Sequence, residues 1–192
     1  MNLNESDKGI LILGAREAIQ SLFVETVSPV IDYDYHPNLR NKMGAFVTLT
    51  KDNRLRGCIG YLESDINVYQ TVCEAAKQAA INDPRFPPLK YSELEKIYIE
   101  ISVLSPLQKI ESYQDIEIGV HGIMLEEGRF RSVLLPQVAI EQNYTREQFL
   151  SALCEKAGMP DYSWESGLLN IKIFTAQVFS EFGNRKRTNE QF

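Results

Sequence analysis

The chain has 192 residues, which is the size of one ordinary domain. Hydrophobic residues make up 44% and charged residues 24% of it, so its composition excludes a disordered or fibrous protein. The formal net charge of −6 argues against broad, sequence-independent binding of nucleic acid, which requires a positive surface.

The first half of the chain predicts a helix, a β-hairpin and a second helix. Apolar residues at helical spacing predict a helix over residues 6–26. Two β-like runs at 43–50 and 55–61 flank a polar turn and predict a hairpin. The second helix is predicted to be capped by Asp65 and to end at Asp83, because the proline that follows disfavours helical backbone there.

The second half of the chain predicts further strands and helices. A strand is predicted at 97–104 and a hairpin at 119–125 and 129–135. A short helix is predicted to begin at the proline at 136, and a helix with a capping box is predicted at 145–158. A final strand is predicted at 169–178. Helices and hairpins alternate without a regular strand–helix–strand rhythm. This order favours an α+β fold, with mixed or antiparallel sheets flanked by helices, over a doubly wound sheet.

The most unusual stretch is Leu55-Arg56-Gly57-Cys58-Ile59-Gly60 (LRGCIG). Strand alternation puts Arg56, Cys58 and Gly60 on one face. Two glycines weaken a strand, and they indicate either a bulge or the close approach of a ligand or another backbone. An arginine beside Cys58 favours the reactive thiolate, which makes Cys58 a candidate nucleophile. The alternative is a cysteine in a tight core, with Arg56 in a structural ion pair.

Two further candidates are polar residues near rigid backbone. Asp83 and Arg85 lie in a loop stiffened by prolines, which can hold both side chains in a fixed geometry. The alternative is that they pair with each other or with the end of the helix. Glu100 lies on the polar face of the strand over 97–104 and needs a partner, for which Arg56 or Arg85 is a candidate.

Two candidates follow in the second half. His121 is a candidate base, because a cysteine nucleophile needs one and the chain has only two histidines. Its alternation with Ile123 places it on a core face, so the alternative is a hydrogen-bonded structural histidine. Gln137 lies in the first turn of a predicted helix, next to N–H groups that can bind an anion, and the alternative is simple capping.

The remaining cysteines and the chain as a whole limit the setting of the protein. Cys73 and Cys154 fall on apolar helical stripes and are predicted to lie in the core. Three widely spaced cysteines predict no disulfide framework and favour a reducing cytoplasm. No signal peptide and no apolar run of about 20 residues is apparent, so no membrane is predicted. No metal spacing, Walker loop or dinucleotide fingerprint predicts a cofactor.

The sequence resembles the AMMECR-type domain family over about residues 7–182. LRGCIG matches the hallmark motif of the family, and further blocks follow in family order at 83–89, 100–105, 119–122, 134–139 and 154–158. The resemblance implies one α+β domain of two unequal lobes with a cleft between them and the hallmark strand near the cleft. We place the smaller lobe at roughly 55–96 and leave a polar tail at 183–192.

The resemblance also implies partners but no established reaction. Prokaryotic members of the family often appear as the A component of AmmeMemoRadiSam gene sets, beside a Memo-type protein and a radical-SAM protein. We therefore expect a cytoplasmic protein that works alongside these two.

Three hypotheses for function remain open. The first is an enzyme for a small anionic or polar substrate. Cys58 is its candidate nucleophile or thiol contact, and His121 and Glu100 are its candidate proton-transfer groups. The candidate substrate-binding residues are Arg56, Gly57, Gly60, Asp83, Arg85 and Gln137. The second is a non-catalytic module that binds a partner protein. The third is a nucleic-acid-binding factor that uses Arg54, Arg56, Arg85 and the basic tail residues 185–187. The net charge of −6 argues against this third hypothesis.

Overall fold

The computed structural model describes residues 2–25 and 30–181, so the predicted tail at 183–192 lies outside the described residues. Four α-helices are formed in this part of the chain: α1 (Glu5–Gln20), α2 (Val68–Ile81), α3 (Pro136–Glu141) and α4 (Arg146–Lys156). The strands are β1 (Ala45–Lys51), β2 (Arg54–Tyr61), β3 (Ile97–Leu104), β4 (Gln108–Lys109), β5 (Gly122–Glu127), β6 (Phe130–Leu134), β7 (Ile171–Phe174) and β8 (Ala176–Ser180). The predicted α+β class is confirmed, and both sheets are antiparallel.

The chain divides into two compact units. The first takes its described residues from Met1–Leu104 and Gln177–Phe192, and the second is Ser105–Ala176. The predicted smaller lobe at 55–96 needs correction, because these residues belong to the first unit. The reason is that β2 pairs with β1 along its length and α2 packs on α1, so residues 55–96 share the core of that unit.

The first unit is a four-stranded sheet with helices on one face. Its strand order is β2-β1-β3-β8. Val47 of β1 and both Ile99 and Ile101 of β3 are fully buried in one core with α1 and α2. Because successive side chains of a strand point to opposite faces, the residues between these positions lie on the other face of the sheet.

The second unit has its own sheet and its own core. The strand order is β4-β7-β5-β6, and Ile123 and Leu125 of β5 are buried with Phe149 of α4. The unit is closed where its ends meet: the Ser105 N–H donates to the Thr175 carbonyl and the Thr175 N–H donates to Ser105 Oγ, both at 2.9 Å. Within the described residues, no helix is long and apolar enough to cross a membrane.

Candidate functional site

Cys58 lies in a row of polar side chains that crosses three strands of the first sheet. The register pairs Thr48 of β1 with Cys58 of β2 on one side and with Glu100 of β3 on the other. We call Cys58, Thr48 and Glu100 the polar row. Directly opposed residues have Cβ atoms about 5 Å apart, and the Thr48 hydroxyl is 3.3 Å from the Cys58 sulfur. Thr48 is buried and Cys58 is half-buried, so one ordered hydroxyl is in contact with the thiol.

The backbone of Cys58 is held from the open edge of the sheet. Since β2 is an edge strand, its outward N–H groups need partners other than a neighbouring strand. The Asp83 carboxylate supplies one and accepts the Cys58 N–H at 2.8 Å. Asp83 in turn accepts from Arg85, from Nε at 3.0 Å and from Nη2 at 2.8 Å. We call Asp83 and Arg85 the edge clamp.

The clamp pairs a buried carboxylate with a partly exposed guanidinium. Asp83 is only 4% exposed, whereas the Arg85 side chain is 52% exposed. Hydrogen bonds from Arg85, and then from the Cys58 N–H, hold the pKa of Asp83 well below its usual range despite burial. Arg85 Nη2 also lies 3.5 Å from the Cys58 carbonyl oxygen. The alternative that Asp83 and Arg85 pair with each other is therefore observed, and the pair also holds the Cys58 strand.

Arg56 forms a structural ion pair with Glu93, which is the alternative that the sequence left open for it. Its Nε and Nη2 donate to the two carboxylate oxygens of Glu93 at 3.1 and 3.0 Å, and Lys51 Nζ donates to the same group at 2.9 Å. The Arg56 and Glu93 side chains are each 12% exposed. Hydrogen bonds from Arg56 are the main cause that lowers the pKa of Glu93 to about 2. Thus Arg56 and Arg85, the predicted partners of Glu100, bind Glu93 and Asp83.

The two glycines of LRGCIG make room for other parts of the protein. A Cβ on Gly57 would collide with the Ala79 carbonyl oxygen, so α2 packs directly on β2 there. A Cβ on Gly60 would collide with the Ala45 carbonyl oxygen and with the Phe46 ring. Close approach of protein is therefore sufficient to explain both glycines, and Gly57 points away from the polar row.

His121 and Gln137 belong to the second unit, whereas the polar row and the clamp belong to the first. His121 precedes β5, so the predicted strand start at residue 119 is wrong. A turn explains this start, because the His121 N–H donates to the Glu117 carbonyl at 2.9 Å and the Glu117 N–H donates to His121 Nδ1 at 3.1 Å. Gln137 is in the first turn of α3, as predicted. Its Oε1 is buried and has no hydrogen-bond partner within the described part of the chain.

The other two thiols lie in environments that suppress the thiolate. Cys154 is fully buried, as predicted, and burial raises its pKa. Cys73 is half-buried against the core, and burial raises its pKa to about 11. Among the described residues, no group of three or more His, Cys, Asp or Glu side chains could hold a metal ion.

Comparison with known proteins identifies the family. The AMMECR1 family model matches residues 13–179, which is most of the chain. The chain belongs to the AMMECR1 family. The match includes the LRGCIG strand and the edge clamp, so the resemblance seen in the sequence motifs is confirmed.

Relatives in archaea support the same assignment. Protein MK0488 of Methanopyrus kandleri is 42% identical over 180 residues, covering 89% of this chain and 86% of that protein. Protein PF1979 of Pyrococcus furiosus is 40% identical, with coverage of 77% and 75%. The crystal structure of the uncharacterized protein PH0010 from Pyrococcus horikoshii has a TM-score of 0.79 and 36% identity, and the match covers 90% of each chain. The names of these relatives state no activity, so the comparisons establish the family and the fold of this chain and no specific reaction.

Proposed function

We propose that the polar row and the edge clamp form a site for a small anionic or polar substrate, with Cys58 as its nucleophile or thiol contact. The observation that carries the proposal is the way Cys58 is held. Its thiol contacts the Thr48 hydroxyl, and its backbone N–H is fixed by Asp83. Reactive cysteines are partly exposed and lie near cationic groups. Cys58 is half-buried, and Arg85 Nη2 lies 3.5 Å from its carbonyl oxygen.

The pairing of the charged groups assigns their roles in this proposal. Arg85 is half-exposed and offers its guanidinium to an anionic group of the substrate. Arg56 instead holds Glu93 beside β2 and acts on the site by positioning. Glu100 lies across Thr48 from Cys58, two strands away from the thiol. In this proposal it is the proton-transfer group of the first unit and acts on the substrate, not directly on Cys58.

The edge clamp also limits the kind of chemistry. The Cys58 N–H is occupied by Asp83, so it is not free to stabilise an oxyanion as the backbone N–H of many nucleophiles is. In this proposal, Arg85 is therefore the group that binds the negative charge of the substrate. This favours a substrate that already carries a carboxylate or phosphate, since a guanidinium binds both groups well.

Alkylation of the thiol by a charged and a neutral reagent tests the proposal without knowledge of the substrate. Iodoacetate is anionic and iodoacetamide is neutral, so the ratio of their rates at Cys58 reports the local charge. A unit charge at roughly 6 Å in water contributes about 0.7 kcal/mol, which is about threefold in rate. Arg85→Gln should therefore lower the iodoacetate-to-iodoacetamide ratio about threefold, and Arg85→Lys should retain most of it. Peptide mapping by mass spectrometry would assign the labelled cysteine.

The matched control is Arg40→Gln, which removes an exposed guanidinium that pairs with Asp34 in the same unit. This variant should leave the ratio unchanged. A Cys58 that resists both reagents, or a ratio that Arg85→Gln leaves unchanged, would contradict the proposed site.

A non-catalytic protein-binding module is the second candidate. It is favoured by the fact that Arg56 and Arg85 are both already paired with carboxylates, as in a structural surface. In this case the partners would be the Memo-type and radical-SAM proteins, in a cytoplasm that keeps the three free cysteines reduced. Co-purification with the Memo-type protein that survives Cys58→Ser and is lost with Arg85→Ala would support binding without chemistry.

A further inference from the structure

A shallow, solvent-open cavity of about 400 Å³ lies in the second unit, and none of its lining residues belongs to the proposed site. Its lining combines two aromatic rings, two carboxylates and one apolar side chain: Tyr113, Trp164, Glu111, Glu165 and Leu168. This volume is within the usual range for small-molecule sites, which are about 300–1,000 Å³. No lysine or arginine is among the lining residues.

Both aromatic rings are fixed by hydrogen bonds at their polar ends. The Tyr113 hydroxyl donates to the Gly167 carbonyl at 2.7 Å and accepts the Leu169 N–H at 3.0 Å. Trp164 Nε1 donates to the Ser151 hydroxyl at 3.0 Å. The ring centroids are 6.0 Å apart and the rings are nearly perpendicular, at 87°. The cavity therefore has two rigid aromatic walls, and a ligand that binds there pays little to order them.

The charge of the cavity is negative and uncompensated. The Glu111 and Glu165 side chains are exposed, and neither carboxylate has a hydrogen-bond or ion-pair partner in the described part of the chain. The second unit as a whole has ten acidic and six basic residues, a net charge of −4. Leu168 is 51% exposed beside these groups and offers apolar contact.

We propose that this cavity binds an organic ammonium ion with alkylated nitrogen. Such a cation is attracted to aromatic faces within about 6 Å. Its N-methyl groups fit the rings and Leu168, and its charge is complementary to Glu111 and Glu165. A neutral ligand of the same shape gains only the apolar part, and an anion is repelled.

Trp164 makes the test direct because it is the only tryptophan in the chain. Its fluorescence would be titrated with choline at constant ionic strength, using the full-length protein. The neutral isostere 3,3-dimethyl-1-butanol has the same shape without the charge. We expect saturable binding of choline with a dissociation constant in the millimolar range and about tenfold weaker binding of the alcohol. Saturation-transfer NMR of the choline methyl signal gives a second readout, independent of fluorescence.

The variants separate the carboxylates from general charge effects. The double variant Glu111→Gln with Glu165→Gln should raise the dissociation constant for choline about fivefold, since each exposed pair contributes modestly. Glu141→Gln removes an exposed carboxylate that does not line the cavity and should have no effect. Equal binding of choline and the alcohol, no saturable binding by either readout, or an unchanged constant in the double variant would overturn the proposal.

Discussion

Replacing Asp83 by alanine is expected to lower the free energy of unfolding by about 3 kcal/mol at pH 7. The substitution leaves the Cys58 N–H at the sheet edge without its acceptor, which costs about 1–3 kcal/mol. It also removes the ion pair with Arg85, which contributes at most about 1 kcal/mol because that side chain is 52% exposed. In a chain of this length, the loss corresponds to about 6–12 °C in melting temperature.

The effect of Asp83→Ala should depend on pH in one direction. Because the folded pKa of Asp83 lies below its unfolded value, the ionised carboxylate stabilises the fold above about pH 4. That stabilisation is lost as pH falls towards the folded pKa. The difference between wild type and variant should therefore be constant from pH 5 to 8 and should shrink below pH 4.

Urea unfolding followed by far-UV circular dichroism would measure this difference. Asp34→Ala is the matched control, because Asp34 also pairs with an arginine but both side chains are largely exposed. It should cost less than about 1 kcal/mol. Equal losses for the two variants at pH 7, or a loss for Asp83→Ala that persists unchanged below pH 4, would refute the argument that the clamp holds β2.

Two further predictions concern the strands beside Cys58. Gly57→Ala should lower the free energy of unfolding by about 3 kcal/mol, because the new Cβ would collide with the Ala79 carbonyl. Gly9→Ala, in an exposed and open position of α1, should raise the free energy of unfolding by up to about 1 kcal/mol. Calorimetry would compare the two variants. A Gly57→Ala protein at least as stable as Gly9→Ala would contradict the close packing of α2 on β2 at Gly57. Thr48→Val should change the rate of Cys58 alkylation by iodoacetamide at a fixed pH, because the hydroxyl contacts the sulfur, and Thr48→Ser should preserve it. Equal rates in the wild type and both variants would count against that contact.

Local pattern was enough to predict most of the strands. The strand over 97–104 was predicted with its observed bounds, because one of its faces is wholly apolar and the other polar. The hairpin of β1 and β2 was predicted within two residues at each end. Caps were harder to assign: Asn67 caps α2 in place of Asp65, since several polar residues precede this helix and only the backbone selects one.

Long-range partners were not visible in the sequence. The predicted final strand at 169–178 is two strands in different sheets, β7 and β8, because alternation shows a face but not a sheet. Glu93 was missed as the partner of Arg56, since the two are 37 residues apart and no motif joins them. Thr48 was missed for the same reason, and its place in the polar row follows only from strand register.

The position of Thr175, between two strands of different sheets, has a consequence for synthesis. The second unit is an insertion that begins after β3 and ends at Ala176, the first residue of β8, yet β3 and β8 are neighbours in the first sheet. The ribosome therefore completes residues 105–175 before it reaches β8, the last strand of the first sheet. Until then α1 also lacks the ion pair between its Arg16 and Glu181, which follows β8. In this pair the guanidinium of Arg16 donates to a carboxylate 165 residues further along the chain. The first unit is thus the last to be finished, although its chain begins first.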